Sequence, residues 1–124
     1  NKNSFELAQK YIEKANANDI EAIDLFLNIY DFNKQYEKMA KKSEGFIDLF
    51  PTKANLYYYA GKGNNNLKNF KKAKDFLEMG IDYVIDNPNL EVGFCKQFIF
   101  CADGLSDIKM KQTYQKRLDK KTKK

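Results

Sequence analysis

The sequence repeats itself at an interval of about 34 residues, and this repetition constrains the fold more than any other feature. Residues 20–51 have the pattern of two helices closed by a proline, and residues 54–88 have the same pattern again. Tyr36 in NKQYEKM recurs one interval later as Phe70 in LKNFKKA, and each opens a second helix after a short polar turn. Because one pair of helices cannot bury its apolar face alone, the copies must pack on one another.

The apolar residues follow a helical period along the whole chain, and no stretch alternates apolar and polar residues for long enough to predict a strand. The sequence therefore predicts an all-α fold in one domain that covers residues 1–124. Seven helices are expected, at residues 4–16, 19–32, 34–49, 53–66, 70–85, 89–102 and 107–121. The links between them are short, which favours antiparallel hairpins.

Polar side chains precede several of these helices. Their oxygens can accept a hydrogen bond from the free amides of a first turn, so the expected N-caps are Ser4, Asp19, Asn33 and Asp107. The step from Phe70 to Ile108 is longer than the step from Tyr36 to Phe70. We expect the extra residues to lengthen the second helix of the middle unit by about one turn before Pro88.

The middle unit has a spacing of large and small residues that lets two helices pack closely and receive a further unit. Its residues are Tyr57, Ala60, Gly61, Phe70, Ala73, Leu77 and Gly80. The first unit keeps the spacing with Ile23, Phe26, Leu27, Tyr30, Tyr36, Met39, Phe46 and Pro51. In this pattern the chain resembles the tetratricopeptide repeat (TPR) family. The resemblance implies a right-handed superhelix of antiparallel hairpins, with a partial repeat at 4–16, repeats at about 20–51, 54–88 and 89–121, and a basic tail at 119–124.

Tetratricopeptide stacks bind peptides along a concave face lined by the first helix of each pair. The resemblance places the groove at Glu21, Asp24, Asn28 and Asp31, at Asn55, Tyr58, Lys62, Asn65 and Asn66, and at Lys96, Phe100 and Asp103. The residues expected to bind a partner are Asn28, Asn55, Tyr58, Lys62, Asn65, Asn66, Lys96 and Phe100. Tyr58 and Phe100 would hold apolar side chains, the asparagines an extended backbone, and the two lysines a carboxylate. The alternative is that these residues are only the solvated side of the first helices.

The sequence thus predicts a non-catalytic scaffold or adaptor that binds a peptide or a helix of another protein. Some family members grip a terminal carboxylate with a clamp of lysine, arginine and asparagine. Asp24 disfavours such a clamp here, because it stands where the clamp would need a cation. The AGKGNNN run at 60–66 does not predict a phosphate loop, because it lacks a preceding strand and the full glycine spacing.

The net charge of +5 suggests a polyanion partner, but the charge is unevenly distributed. Residues 1–108 carry 14 basic and 16 acidic side chains, whereas residues 109–124 carry eight basic side chains and only Asp119 as an acid. The basic character is therefore assigned to the tail, where cations also complement a helix dipole. Nucleic acid is a disfavoured partner, since only Tyr114 could stack a base there, and weak polyanion binding by the tail stays an alternative.

The residues also favour a protein without catalytic chemistry, cofactor or metal. The chain has no histidine, and Ser4, Ser43 and Ser106 are expected at helix starts or on a lysine-rich surface. Cys95 and Cys101 lie in the apolar run GFCKQFIFCA, which predicts two buried free thiols. No stretch of about 18 apolar residues lacks a charge, so the sequence predicts a soluble chain without a membrane-spanning helix.

The chain opens with helical spacing, in the pattern of a second helix whose first helix is missing. We therefore expect the C-terminal part of a longer repeat protein, in which any targeting signal would lie upstream and the location stays unknown. The first helix carries an apolar stripe formed by Leu7, Ala8, Tyr11, Ile12 and Ala15. A second copy could cover that stripe, so self-association within a larger assembly is the alternative function. Richness in Lys, Asn, Ile, Phe and Tyr favours a bacterial source with a low-GC genome.

Overall fold

The computed structural model describes residues 20–122, and this part of the chain is all-helical. It holds six helices and no strand within those residues. The helices are α1 (Ile20–Phe32), α2 (Tyr36–Leu49), α3 (Ala54–Asn66), α4 (Phe70–Ile81), α5 (Pro88–Leu105) and α6 (Ile108–Thr122). The expected first helix at 4–16, with its apolar stripe, and the expected N-caps Ser4 and Asp19 lie outside the described residues.

Three turns, between α1 and α2, α3 and α4, and α5 and α6, share one backbone geometry. One residue in each turn is left-handed, and these residues are Lys34, Lys68 and Ser106, with φ of 57°, 65° and 55°. The next amide donates to a carbonyl five residues earlier: Gln35 to Tyr30, Asn69 to Asn64 and Asp107 to Ala102, at 2.8, 2.8 and 2.9 Å. Together with the shorter bond from the left-handed residue itself, this is a Schellman motif. The motif reverses the chain within three residues or fewer, so each pair forms an antiparallel hairpin.

The helices pack in sequence order, and the odd-numbered ones also contact one another. Each helix contacts the next, and α3 contacts both α1 and α5. Among the described helices, α2 and α4 make no comparable contact, nor do α4 and α6. The odd helices therefore form an inner row that the even helices flank.

Two apolar clusters fill the spaces between the helices. The first lies between α1, α2 and α3 and contains Ile23, Phe26, Leu27, Tyr30, Met39 and Leu56. The second lies between α3, α4 and α5 and contains Ala54, Tyr57, Ala73, Leu77, Ile81, Phe94, Phe98 and Cys101. Tyr114 of α6 covers the second cluster, with its ring stacked on Phe98 at 3.8 Å between centroids. The first cluster joins the first hairpin to the second and the second cluster joins the second to the third, so none of the three hairpins is a closed unit.

The extra residues of the longer step from Phe70 to Ile108 are not where the sequence predicted them. The helix that begins at Phe70 ends at Ile81 rather than at residue 85, and a loop follows it. The step from Ala54 to Pro88, where α3 and α5 begin, equals the step from Tyr36 to Phe70, so the added turn belongs to α5, which has 18 residues where α3 has 13. The prediction failed because Pro88 is the first residue of a helix, where its missing amide is harmless.

Two of the expected caps can be compared with the structure. Asp107 is confirmed as an N-cap, because its Oδ1 accepts from the Met110 amide at 3.0 Å. Asn33 is not an N-cap, since its side-chain amide donates to the Ile29 carbonyl at 2.9 Å and so closes α1 instead. The sequence reading missed Asn87, whose Oδ1 accepts from the Leu90 amide and starts α5.

Candidate functional site

The exposed sides of α1, α3 and α5 form one surface, which we call the odd-helix face. Its residues are Leu25, Asn28 and Phe32 on α1, Asn55, Tyr58, Tyr59, Lys62 and Asn66 on α3, and Lys96 and Phe100 on α5. The other sides of α3 are buried between its neighbours. Contacts between adjacent odd helices join residues about one repeat apart, such as Asp31 with Lys62 and Asn65 with Gln97. Equivalent positions therefore stand side by side, as in the row Asn28, Lys62 and Lys96.

Two ion pairs hold α1 against the start and end of α3. Lys53 Nζ lies 3.1 Å from Asp24 Oδ2, and Lys62 Nζ lies 2.9 Å from Asp31 Oδ2. The Lys62 ammonium is also 6.0 Å from the centre of the Tyr58 ring. The sequence predicted that Lys62 would bind a carboxylate of a partner, but its ammonium is already paired with Asp31. Both ion pairs are partly exposed, so each contributes about 1 kcal/mol or less to stability.

The same two carboxylates also act on the phenol of Tyr59. Burial raises the pKa of its phenol to about 12, and the negative charges of Asp31 and Asp24 add to the effect. Burial also raises the pKa of Tyr58, although the ammonium of Lys62 opposes the change. Both phenols are therefore neutral at physiological pH and can donate as well as accept hydrogen bonds.

The third odd helix, α5, contributes an unpaired positive charge to the odd-helix face. Lys96 is exposed and forms no ion pair with any other described residue. Phe100, one helical turn further on, is 44% exposed, and its ring centre lies 6.2 Å from that of Phe70. A carboxylate and an apolar side chain could thus be received at neighbouring positions on α5.

Asn65 does not belong to this surface. Its side chain is fully buried on the flank of α3 that faces α5. Its Nδ2 donates to the backbone carbonyl and to Oε1 of Gln97, both at 3.0 Å. Asn65 therefore joins two helices, and of the two neighbouring asparagines predicted to bind a partner only the half-buried Asn66 lies on the odd-helix face. The Asn66 side chain donates to the Lys62 carbonyl at 2.9 Å and keeps its oxygen available.

The sequence reading missed Leu25, Phe32 and Tyr59. Phe32 is 79% exposed and Leu25 is 48% exposed, so both are unusually open for their size. A signal for Phe32 was present, because it lies one repeat interval before Asn66 and two intervals before Phe100. Leu25 and Tyr59 are related by the same interval. The repeat interval therefore contained a signal for Phe32, whereas it relates Leu25 and Tyr59 to no predicted site residue.

Away from the odd-helix face, Cys95, Cys101 and Ser43 are buried. Cys95 and Cys101 are free and buried, as predicted, and burial raises the pKa of both thiols, that of Cys101 to about 11. Ser43 lies inside α2 rather than on the surface, with its hydroxyl donating to the Met39 carbonyl at 2.7 Å. Gly61 and Gly63 are part of α3, and side chains there would collide with Leu77 and with Ala40. Within residues 20–122 no three potential metal ligands are grouped together.

The odd-helix face can bind through rings, side-chain amides and one free ammonium. No helix in the described part of the chain is long and apolar enough to cross a bilayer. Searches against family models, curated proteins and solved structures gave no match to this chain.

Proposed function

We propose that this chain is a non-catalytic protein-interaction scaffold, and that the odd-helix face binds an extended segment of a partner protein. The observation that carries the proposal is the pair of exposed rings, Phe32 and Phe100, at equivalent positions on α1 and α5. Asn66 stands between them on α3. Exposed phenylalanine rings add little to the stability of a monomer, whereas a binding surface uses such rings as anchors.

We further propose that the hairpins are stacked as a right-handed solenoid of the tetratricopeptide type, with the odd-helix face on its concave side. Three features support this arrangement. α3 and α5 begin one repeat interval apart, the three turns repeat one Schellman geometry, and the backbones of the odd helices approach one another while those of the even helices do not. A solenoid built in this way presents equivalent residues as rows, which suits a partner chain that crosses several repeats.

Binding by this surface would be a reversible equilibrium without a chemical step. The rings of Phe32 and Phe100 would each bury apolar area worth about 2 kcal/mol. The amides of Asn28, Asn55 and Asn66 would pair with the partner's backbone and fix its register. Lys96 would favour a partner with an acidic residue beside its apolar side chain.

A capture experiment with two matched double variants tests the proposal. The chain, immobilised as bait in an extract of its source cells, is compared with Phe32→Ser/Phe100→Ser and with Met79→Ser/Ile85→Ser. The second pair removes equally exposed apolar side chains from α4 and from the loop before α5. Retained proteins are quantified by mass spectrometry, and circular dichroism checks that each variant is folded.

We expect the first variant to lose a specific partner and the second to retain it. Loss of two anchors should weaken binding by at least about 2 kcal/mol, or about thirtyfold. If the second variant loses the partner and the first retains it, the binding surface lies elsewhere. Light scattering at two concentrations separates the remaining alternative, since a dimer that forms without any extract would favour self-association.

A further inference from the structure

A second concentration of positive charge lies away from the lysine-rich tail, at the turn between α3 and α4. Lys68, Lys71, Lys72 and Lys74 occur close together, with no acidic residue among them. Lys72 is paired with Glu44 at 2.7 Å, whereas Lys68 and Lys71 are exposed and form no ion pair with another described residue. The assignment of basic character to the tail alone is therefore incomplete.

Lys68, Lys71 and Lys72 line a cleft beside the added turn of α5. The cleft has a volume of about 560 Å³, and Phe70 and Leu105 provide its apolar surface. The added turn lies directly on Phe70, because a Cβ on Gly104 would be 2.5 Å from the Phe70 ring. The Cys101 thiol also donates to the Phe70 carbonyl at 3.0 Å. Leu105 remains 38% exposed and is open to a ligand.

The first hairpin has the same turn, but the helix beside it lacks the added turn. Lys34 has the same left-handed backbone as Lys68, and Tyr36 corresponds to Phe70. The next odd helix, α3, ends at Asn66 and so has no added turn to form a wall. Glu37 replaces Lys71, which also removes one positive charge. Apolar wall and unpaired lysines thus occur together only at the second of these two turns.

We propose that this lysine cleft binds an acidic peptide segment that carries a large apolar side chain. The apolar side chain fits between Phe70 and Leu105, and the carboxylates meet the ammonium groups of Lys68 and Lys71. The charge of the rim selects an acidic occupant, and the apolar walls select a peptide over a polyanion without apolar groups. The inference does not depend on the function proposed for the odd-helix face.

Fluorescence anisotropy with defined probes tests the lysine cleft directly. The first probe is a labelled heptapeptide, Glu-Asp-Glu-Leu-Phe-Asp-Glu, and the second replaces its Leu-Phe pair by Ser-Ser. The third probe is a labelled duplex DNA. The proteins are the whole chain, the variant Lys68→Glu/Lys71→Glu, the variant Leu105→Asp, and the control Lys34→Glu/Lys38→Glu, which changes the net charge by the same amount at the first turn.

We expect the whole chain to bind the first peptide at least about tenfold more tightly than the second, since a buried Leu-Phe pair is worth more than about 1.4 kcal/mol. Charge reversal at Lys68 and Lys71 should weaken binding of the first peptide by about tenfold or more, and Leu105→Asp should do the same. The control should change the affinity by less than about twofold, because its charges lie at the other turn, outside the cleft, and are screened by salt.

Four results would overturn the proposal. Equal weakening by the control would mean that only net charge matters. Equal binding of the two peptides would mean that the apolar walls are not used, and tighter binding of the duplex through the same lysines would assign the cleft to nucleic acid. No binding of the first peptide at millimolar concentration by a chain with native circular dichroism would also exclude the site.

Discussion

The first and third hairpins share a turn but differ in how their charges are used. In the first hairpin the paired acids all reach the second hairpin, because Asp24, Asp31 and Glu44 bind Lys53, Lys62 and Lys72. In the third hairpin the ion pairs stay inside, and they join Glu91 to Arg117 and Lys121 and Asp103 to Lys111. Half of the six basic residues of α6 are thus engaged with α5. The comparison teaches that ion pairs can serve two purposes in this fold. They join the first hairpin to the second, whereas in the third hairpin they hold its own two helices together.

The third hairpin also differs from the second in helix length, although the turn is unchanged. α3 has 13 residues and α5 has 18, yet both end in the same Schellman motif. The added turn is accommodated because Gly104 has no side chain to collide with Phe70. An insertion has therefore been absorbed by extending a helix, while the reversal that pairs the two helices keeps its geometry.

The largest expected effect comes from Gly80, at the joint between α3, α4 and α5. A Cβ there would overlap Tyr57 Cβ and lie 3.1 Å from Phe94 Cζ. Gly80→Ala should therefore lower the free energy of unfolding by about 3 kcal/mol. Gly45 in α2 has no atom within 4 Å of its hypothetical Cβ, so Gly45→Ala should raise it by about 0.5–1 kcal/mol. Urea unfolding followed by circular dichroism measures both, and equal effects would contradict the packing described here.

Glycine at the left-handed positions should stabilise all three hairpins alike. Lys34, Lys68 and Ser106 each have positive φ, which strains a residue with a Cβ. Each single substitution by glycine should raise the free energy of unfolding by about 0.5–1 kcal/mol, measured by urea unfolding. Gln35→Gly is the control, because φ is −88° there and glycine should only destabilise. A loss of stability in all three variants would mean that the turns are not left-handed.

The ion pairs inside the third hairpin give a smaller, pH-dependent effect. Hydrogen bonds from Arg117 and Lys121 lower the pKa of Glu91 against the opposing effect of burial. A carboxyl with a lowered pKa stabilises the fold above its unfolded pKa, and that stability is lost as the pH falls through the folded pKa. Glu91→Gln should therefore destabilise at pH 7 by about 1 kcal/mol and have less effect near pH 3. Thermal melts at both pH values measure the effect, with Glu78→Gln as the control. An equal loss of stability in Glu91→Gln at the two pH values would contradict the role given to these ion pairs.

The phenol of Tyr59 provides a spectroscopic check on the joint between the first two hairpins. With a pKa of about 12 it should ionise later than an ordinary tyrosine. Because the folded pKa is raised above the unfolded one, this group stabilises the fold below pH 10 and loses that contribution as the pH rises toward 12. Absorbance of the ionised phenol in the near ultraviolet should show a late step that Tyr59→Phe removes. A late step that persisted in Tyr59→Phe would mean that the phenol of Tyr59 is not the buried group that causes it.

The repeat made much of the fold predictable. The interval between Tyr36 and Phe70 located α2 and α4, and the helical period located the buried residues between them. The prolines did not show where a helix begins, because Pro51 precedes α3 by three residues whereas Pro88 is the first residue of α5. The added turn of α5 packs through Gly104 against Phe70, a contact between two helices that no local pattern contains.

For the candidate site, the sequence predicted which positions along the helices are equivalent but not which of their side chains are paired or buried. A step of one repeat interval places Asn28, Lys62 and Lys96 in one row, and the sequence identified all three. The sequence did not reveal that Lys62 is paired with Asp31 or that Asn65 is buried against Gln97. Both facts depend on which flank of α3 faces which neighbour, and that is set by the packing of three helices together.

Nuclear magnetic resonance of the labelled chain, titrated with the protein retained in the capture experiment, is the most direct test of the odd-helix face. We predict that the amides of Asn28, Lys62 and Lys96 shift together while those of Lys41 in α2 and Asp75 in α4 do not. Shifts confined to α2 and α4, with the three odd-helix amides unchanged, would contradict the proposed function.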